Sequence, residues 1–183
     1  MRTRLSQVLF PVLGAALLVL ALIGLSKAAR EQLRQHERYT LTFADIDCDA
    51  PPGMERAAFL TEVQYLGQFP DRLPSLDEDG PARLAAAFAR HPWVEKVEGV
   101  RVLPPDRVSV RLTFRVPALA VPQPGCLRTV DVRGILLPPS APTGGLPVYR
   151  GRAAPPAGLA GEPWGDPAVA KAAAAASREH AGQ

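Results

Sequence analysis

The chain has 183 residues, with 21 Lys and Arg against 18 Asp and Glu, a formal net charge of +3, and 47% hydrophobic residues. That length suits one ordinary domain or two very small ones. The arginines are scattered, with no basic patch interleaved with aromatics, which argues against nucleic-acid binding; the two distant cysteines, Cys48 and Cys126, exclude a zinc pattern built on close pairs.

Val8 to Leu25 carries no charged or strongly polar group, and the uncharged stretch runs from Leu5 to Ser26. At 1.5 Å per residue that stretch spans about 33 Å, enough for a hydrocarbon core of about 30 Å. A cleaved signal peptide is the alternative, with Arg2 and Arg4 as its basic start and Ser26-Lys27-Ala28 as a loose cleavage site. The apolar run exceeds the usual signal length, which favours a retained anchor. Residues 1–26 are therefore expected to form a cytoplasmic tip and a single transmembrane helix that enters the lipid bilayer through Val8–Leu25. Residues 27–38 are expected to form a polar helical stalk. The expected location is the plasma (inner) membrane, single-pass, with the N-terminus cytoplasmic and the bulk extracytoplasmic. The Lys and Arg count alone leans the other way, but long trailing domains translocate largely regardless of charge.

Tyr39–Ile46 is rich in Thr, Tyr, Phe and Ile and predicts a strand. Asp47–Gly53 is a loop. Phe59, Val63 and Leu66 fall at helical spacing and predict a helix over Glu55–Leu66. Gln68–Glu78, with Pro70 and Pro74, is a connection. Asp79-Gly80-Pro81 starts a second helix with the buried stripe Leu84, Ala87 and Phe88, ended by Pro92. Val94–Val102 is a strand, and Gly99 within it signals a bulge. After a turn over Leu103–Arg107, Val108, Val110, Leu112 and Phe114 alternate with Ser109, Arg111, Thr113 and Arg115, the pattern of a strand with one buried face. Residues 39–116 thus make a β-α-α-β-β unit, two helices on one face of a three-stranded sheet.

Beyond Pro117 the chain becomes proline-rich, contributing to a total of 20 prolines. Ala118–Val121 extends the sheet, and Cys126–Val132 and Ile135–Leu137 flank a hairpin turn at Arg133-Gly134. Residues 117–147 form a partial β-domain. Residues 148–183 form a Pro, Gly and Ala-rich tail whose helix, Ala168–His180 capped by Asp166, is expected to be marginal because alanines bury little. Cys48 and Cys126 are either two independent thiols or one disulfide, the latter requiring an oxidising compartment.

These residues, taken in order, resemble the FtsQ/DivIB family of bacterial cell-division proteins. His91-Pro92-Trp93-Val94, Arg101-Val102-Leu103-Pro104 and Arg107-Val108-Ser109-Val110 carry the likeness of the first unit to a POTRA domain. Arg115-Val116-Pro117-Ala118 matches the family's transition to its next domain, and Thr129-Val130-Asp131 through Gly134-Ile135-Leu136-Leu137 matches its hairpin. The resemblance implies an α+β protein with an N-terminal transmembrane helix, a POTRA-like module and a partial β region, in a shortened or divergent member of the family. It implies a non-enzymatic membrane-anchored scaffold whose partners are membrane-anchored division proteins. Strand addition to an exposed edge is the expected mode, with Trp93, Val94, Val97, Val100 and Val102 as candidate partner contacts.

A POTRA-type adaptor in protein export or outer-membrane assembly is the alternative, although such proteins usually carry tandem units or a barrel. Catalysis has little to rest on. His36, His91 and His180 sit in the stalk, at a helix–strand junction and in the tail, and no G-x-S-x-G, H-E-x-x-H or C-x-x-C occurs. Neither a cofactor, a metal nor a small-molecule substrate is expected.

Overall fold

A computed structural model describes residues 17–27, 40–74, 78–103 and 107–181. Two apolar cores organise the chain after residue 40, one on each side of Val116.

In the first unit, β1 (Thr40–Thr42) runs into a 3-10 turn at Phe43–Asp45. Helix α2 (Arg56–Gly67) buries Phe59, Leu60 and Val63, and ends where Gln68 adopts a left-handed φ of 53° and donates back to Gln64 and Tyr65 carbonyls. After β2 (Arg72–Pro74), α3 (Gly80–Ala89) starts with Pro81 in its first turn and buries Leu84, Ala87 and Phe88. The hairpin of β3 (Val94–Leu103) and β4 (Arg107–Phe114) closes the unit. Valines on one side of this hairpin, led by Val108 and Val110, pack on the phenylalanines of α2 and α3.

The expected β-α-α-β-β order with a single three-stranded sheet is corrected. β1 pairs antiparallel with β2, a strand hidden inside the proline-bearing connection, and β3 pairs with β4. The two pairs share one apolar core, and among the described residues the backbone bridge beside them is from Asp47 to β4 at Ser109. Tyr39–Ile46 does not run as one strand because the chain turns at Phe43, where Phe43 N–H donates to Asp71 O at 2.8 Å.

In the second unit, β5 (Pro117–Gln123) and β6 (Cys126–Asp131) form a hairpin. The strand-like segment 135–137 pairs back on β6, residues 161–164 pair on that segment, and residues 147–149 pair with β5 at Ala120. Helix α4 (Pro167–Ala181) covers this array and buries Val169, Ala173 and Ala176 against Leu119, Val121, Val130, Leu136 and Trp164. The alanine-rich helix is therefore a core element rather than a marginal one. Small side chains allow close approach: a Cβ at Gly134, which has φ 76°, would stand 2.8 Å from the Ala170 Cα. Trp164 fills the centre and donates its Nε1–H to Ala154 O at 2.9 Å.

The turn after β6 is held by Asp131, which is buried. Its carboxylate accepts from Arg133 N–H at 2.9 Å, Ile135 N–H at 2.8 Å and Arg115 Nη1 at 2.8 Å. Arg115 N–H in turn donates to Trp93 O at 2.8 Å. These bonds, the Arg133–Glu95 ion pair and the cluster of Trp93 with Leu137 and Ala141 join the two units.

The N-terminal expectation is overturned. Residues 17–27 are helical (α1). Among the described residues no helix is long and apolar enough to cross a membrane. The single-pass span over Val8–Leu25, and the inner-membrane location built on it, are withdrawn. Residues 8–16 of that span, the tip and residues 28–38 of the stalk lie outside the described residues.

Candidate interaction edge

The direction of the backbone groups along β3 follows from the bonds on the far side of β4. Asp47 N–H donates to Val108 O at 2.9 Å, and Val110 N–H donates to Asp47 O at 2.8 Å. An extended residue points its N–H and C=O to the same side, so Val108 and Val110 face Asp47. Their register partners on β3 are Val102 and Val100. These are therefore the non-hydrogen-bonded pairs of the ladder, and Val100 and Val102 aim their own N–H and C=O away from β4. Among the described residues no backbone bond is made to that outer edge.

The side chains of Val97, Val100 and Val102 are half-buried against the first core. On the opposite side of β3, Lys96, Glu98, Arg101 and Leu103 are exposed. The register shifts between Val94 and Lys96 and between Val97 and Gly99. The expected irregularity at Gly99 is thus one of two. Bulges twist an edge and interrupt its ladder, so the regular stretch open to a partner is Val100–Leu103.

Two of the five expected contact residues lie elsewhere. Trp93 is 1% exposed and Val94 3%. Val94 belongs to the first core and Trp93 to the junction with the second unit. The corner after α3 turns both side chains inward, and neither meets a partner at the surface. Among the described residues the Trp93 indole N–H has no acceptor, so its contribution is packing.

His91 shapes that corner. Its Nδ1 accepts from Trp93 N–H at 3.3 Å, which assigns the ring proton to Nε2, 3.0 Å from Glu62 Oε2. Phe59 stands edge-on to the ring at 4.7 Å. Burial lowers the His91 pKa below its ordinary value, opposed by Glu62. Glu62 is the polar partner that sequence reading missed; it lies 29 residues away and sits on another helix, so no local motif signals it. A neutral, fully enclosed imidazole of this kind fixes backbone and does not face a substrate.

Cys48 and Cys126 are free thiols. Burial pushes the Cys48 thiol up to about 11, with Arg56 opposing, so it stays protonated and unreactive at neutral pH. Cys126 is exposed at the β5–β6 turn. Among the described residues no group of three or more His, Cys, Asp or Glu side chains could hold a metal ion. A groove of about 380 Å³ beside α4 is lined by Val116, Pro117, Val132, Pro147 and Ala176, with no titratable side chain. No protein-family model matches this chain, and no curated protein matches it.

Proposed function

We propose that this chain is a non-enzymatic interaction protein of bacterial cell division that takes up an extended segment of a partner on the outer edge of β3. The observation that carries the binding mode is the pair Val100 and Val102, whose backbone groups point outward with no partner among the described residues. A strand added there gains main-chain hydrogen bonds, and its side chains extend the half-buried valine face. The cell-division setting is supported by the ordered resemblance of His91–Val94, Arg101–Pro104, Arg107–Val110 and Thr129–Leu137 to that family.

A photo-crosslinking residue at exposed Leu103 tests both parts in growing bacterial cells. The expected adducts are cell-division proteins, and they disappear in Val102→Pro. Proline there removes an outward N–H and leaves the β3–β4 bonds intact, the position at which an edge strand tolerates it. Tyr65→Ser, at an exposed site on α2, leaves the adducts unchanged. Adducts with export or outer-membrane assembly proteins overturn the cell-division reading. Adducts that persist in a folded Val102→Pro chain overturn the edge.

A further inference from the structure

The solvent face of the β3–β4 hairpin is basic. Among the described residues, Lys96, Arg101, Arg107 and Arg111 are exposed on it against one exposed acid, Glu98. Glu98 is already engaged: its carboxylate accepts from Lys96 Nζ at 2.8 Å and Thr113 Oγ1 at 3.1 Å. Those bonds, with the charges of Lys96 and Arg111 behind them, hold it below the usual carboxylate range.

The position of Arg111 gives this charge a direction. Arg111 is the register partner of Gly99, and its Nη2 lies 4.0 Å from where a Gly99 Cβ would stand. With no side chain at Gly99, one end of the Arg111 guanidinium comes within contact range of β3 at that residue. Arg101 stands two residues further along the same face. The free edge thus offers half-buried valines on one side and two arginines on the other, with outward backbone groups at Val100 and Val102 between them.

We infer that the segment taken up on this edge is an acidic strand of another protein, apolar at alternate positions and carrying Asp or Glu between them. Its apolar side chains continue the Val100 and Val102 face, and its carboxylates meet Arg101 and Arg111. Opposite charges on neighbouring strands stabilise pairing, and like charges oppose it. The same rule disfavours a second copy of this chain, because β3 against β3 sets arginine and lysine beside each other. A nucleic acid would want aromatic side chains among the cations, and this face has none. The inference rests on the strand-addition reading and adds the chemistry of the strand.

The test titrates the isotope-labelled full chain with short synthetic peptides of alternating valine and a polar residue. The polar residue is glutamate, glutamine or lysine. The expected result is amide shifts at Val100–Leu103 with the glutamate peptide, about tenfold weaker binding with glutamine, and none with lysine. Added salt weakens the glutamate complex. The double variant Arg101→Glu, Arg111→Glu changes two exposed side chains and reverses the peptide order. Equal binding of the glutamate and glutamine peptides at β3 leaves strand addition standing and removes the charge inference. No shift at β3 with any peptide, in a chain whose spectrum is folded, removes both. A doubled molecular mass without peptide, abolished by Val102→Pro, assigns the edge to a second copy and overturns the inference.

Discussion

The unit around α2 and α3 is built on Phe43, Phe59, Phe69 and Phe88, all buried, whereas the unit around α4 packs Ala173 and Ala176 on aliphatic side chains such as Leu119, Val121 and Val130 around one tryptophan, with a buried carboxylate at its turn. In the first, Phe59 touches the rings of Phe88 at 5.8 Å, Phe114 at 5.6 Å and His91 at 4.7 Å. Large rings hold the elements apart, and stability scales with the apolar area they remove from water. In the second, small side chains let a helix lie almost on the backbone of a turn, and order comes from hydrogen bonds that converge on Asp131. One unit is therefore sensitive to truncation, the other to enlargement and to loss of polar partners.

Phe59→Ala carries the largest expected effect, about 3–5 kcal/mol, read as a lowered denaturant midpoint. A loss below about 1 kcal/mol would mean that the aromatic core does not hold the first unit. Asp131→Ala comes next, at about 3 kcal/mol, because it leaves two turn amides and a mostly buried guanidinium without their acceptor. If Asp131→Asn loses as much as Asp131→Ala, hydrogen-bond geometry at the turn matters less than the charge opposite Arg115. Ala173→Leu puts a larger side chain between α4 and the sheet and is expected to cost about 1–3 kcal/mol. Stabilisation by that substitution would show the second core to be underfilled rather than close-packed.

The smallest effect is in pH dependence. The folded His91 binds its proton less readily than the unfolded chain does, chiefly because of burial. Stability therefore falls as the pH drops below the ordinary histidine value of 6.5, and levels off below the folded pKa. The difference between wild type and His91→Gln, measured by denaturant titration across this window, isolates the contribution. A difference that is flat below 6.5 would mean that the ring accepts its proton in place.

The elements most legible in the sequence were those with a strong period: the alternation of Val108 to Phe114, and the helical spacing of Phe59, Val63, Leu84 and Phe88. β2 was hidden because it is three residues long and ends in Pro74, so neither period nor propensity marks it. α4 was undervalued because alanine was weighed by its own area, while its effect here lies in what it allows to come close. The candidate edge was legible as a strand, but which valines point their backbone outward depends on Asp47, a loop residue whose bonds to β4 follow from no pattern. Trp93 and Val94 stood among the candidate partner contacts because an aromatic at a strand start looks the same in sequence whether a partner or a second unit of the same chain covers it. Of the apolar run at the N-terminus, residues 17–26 are seen as helix, and residues 5–16 lie outside the described residues.

The placing of Trp93 also decides what light can report about this molecule. The chain has two tryptophans, one in the second core and one at the junction, and both are almost wholly enclosed. Neither lies inside the phenylalanine core. Intrinsic tryptophan emission therefore follows the second unit and its seam with the first. A Trp164→Phe chain would turn that signal into a gauge of the seam alone, and loosening among the phenylalanines would pass unseen until it reached the corner beside His91.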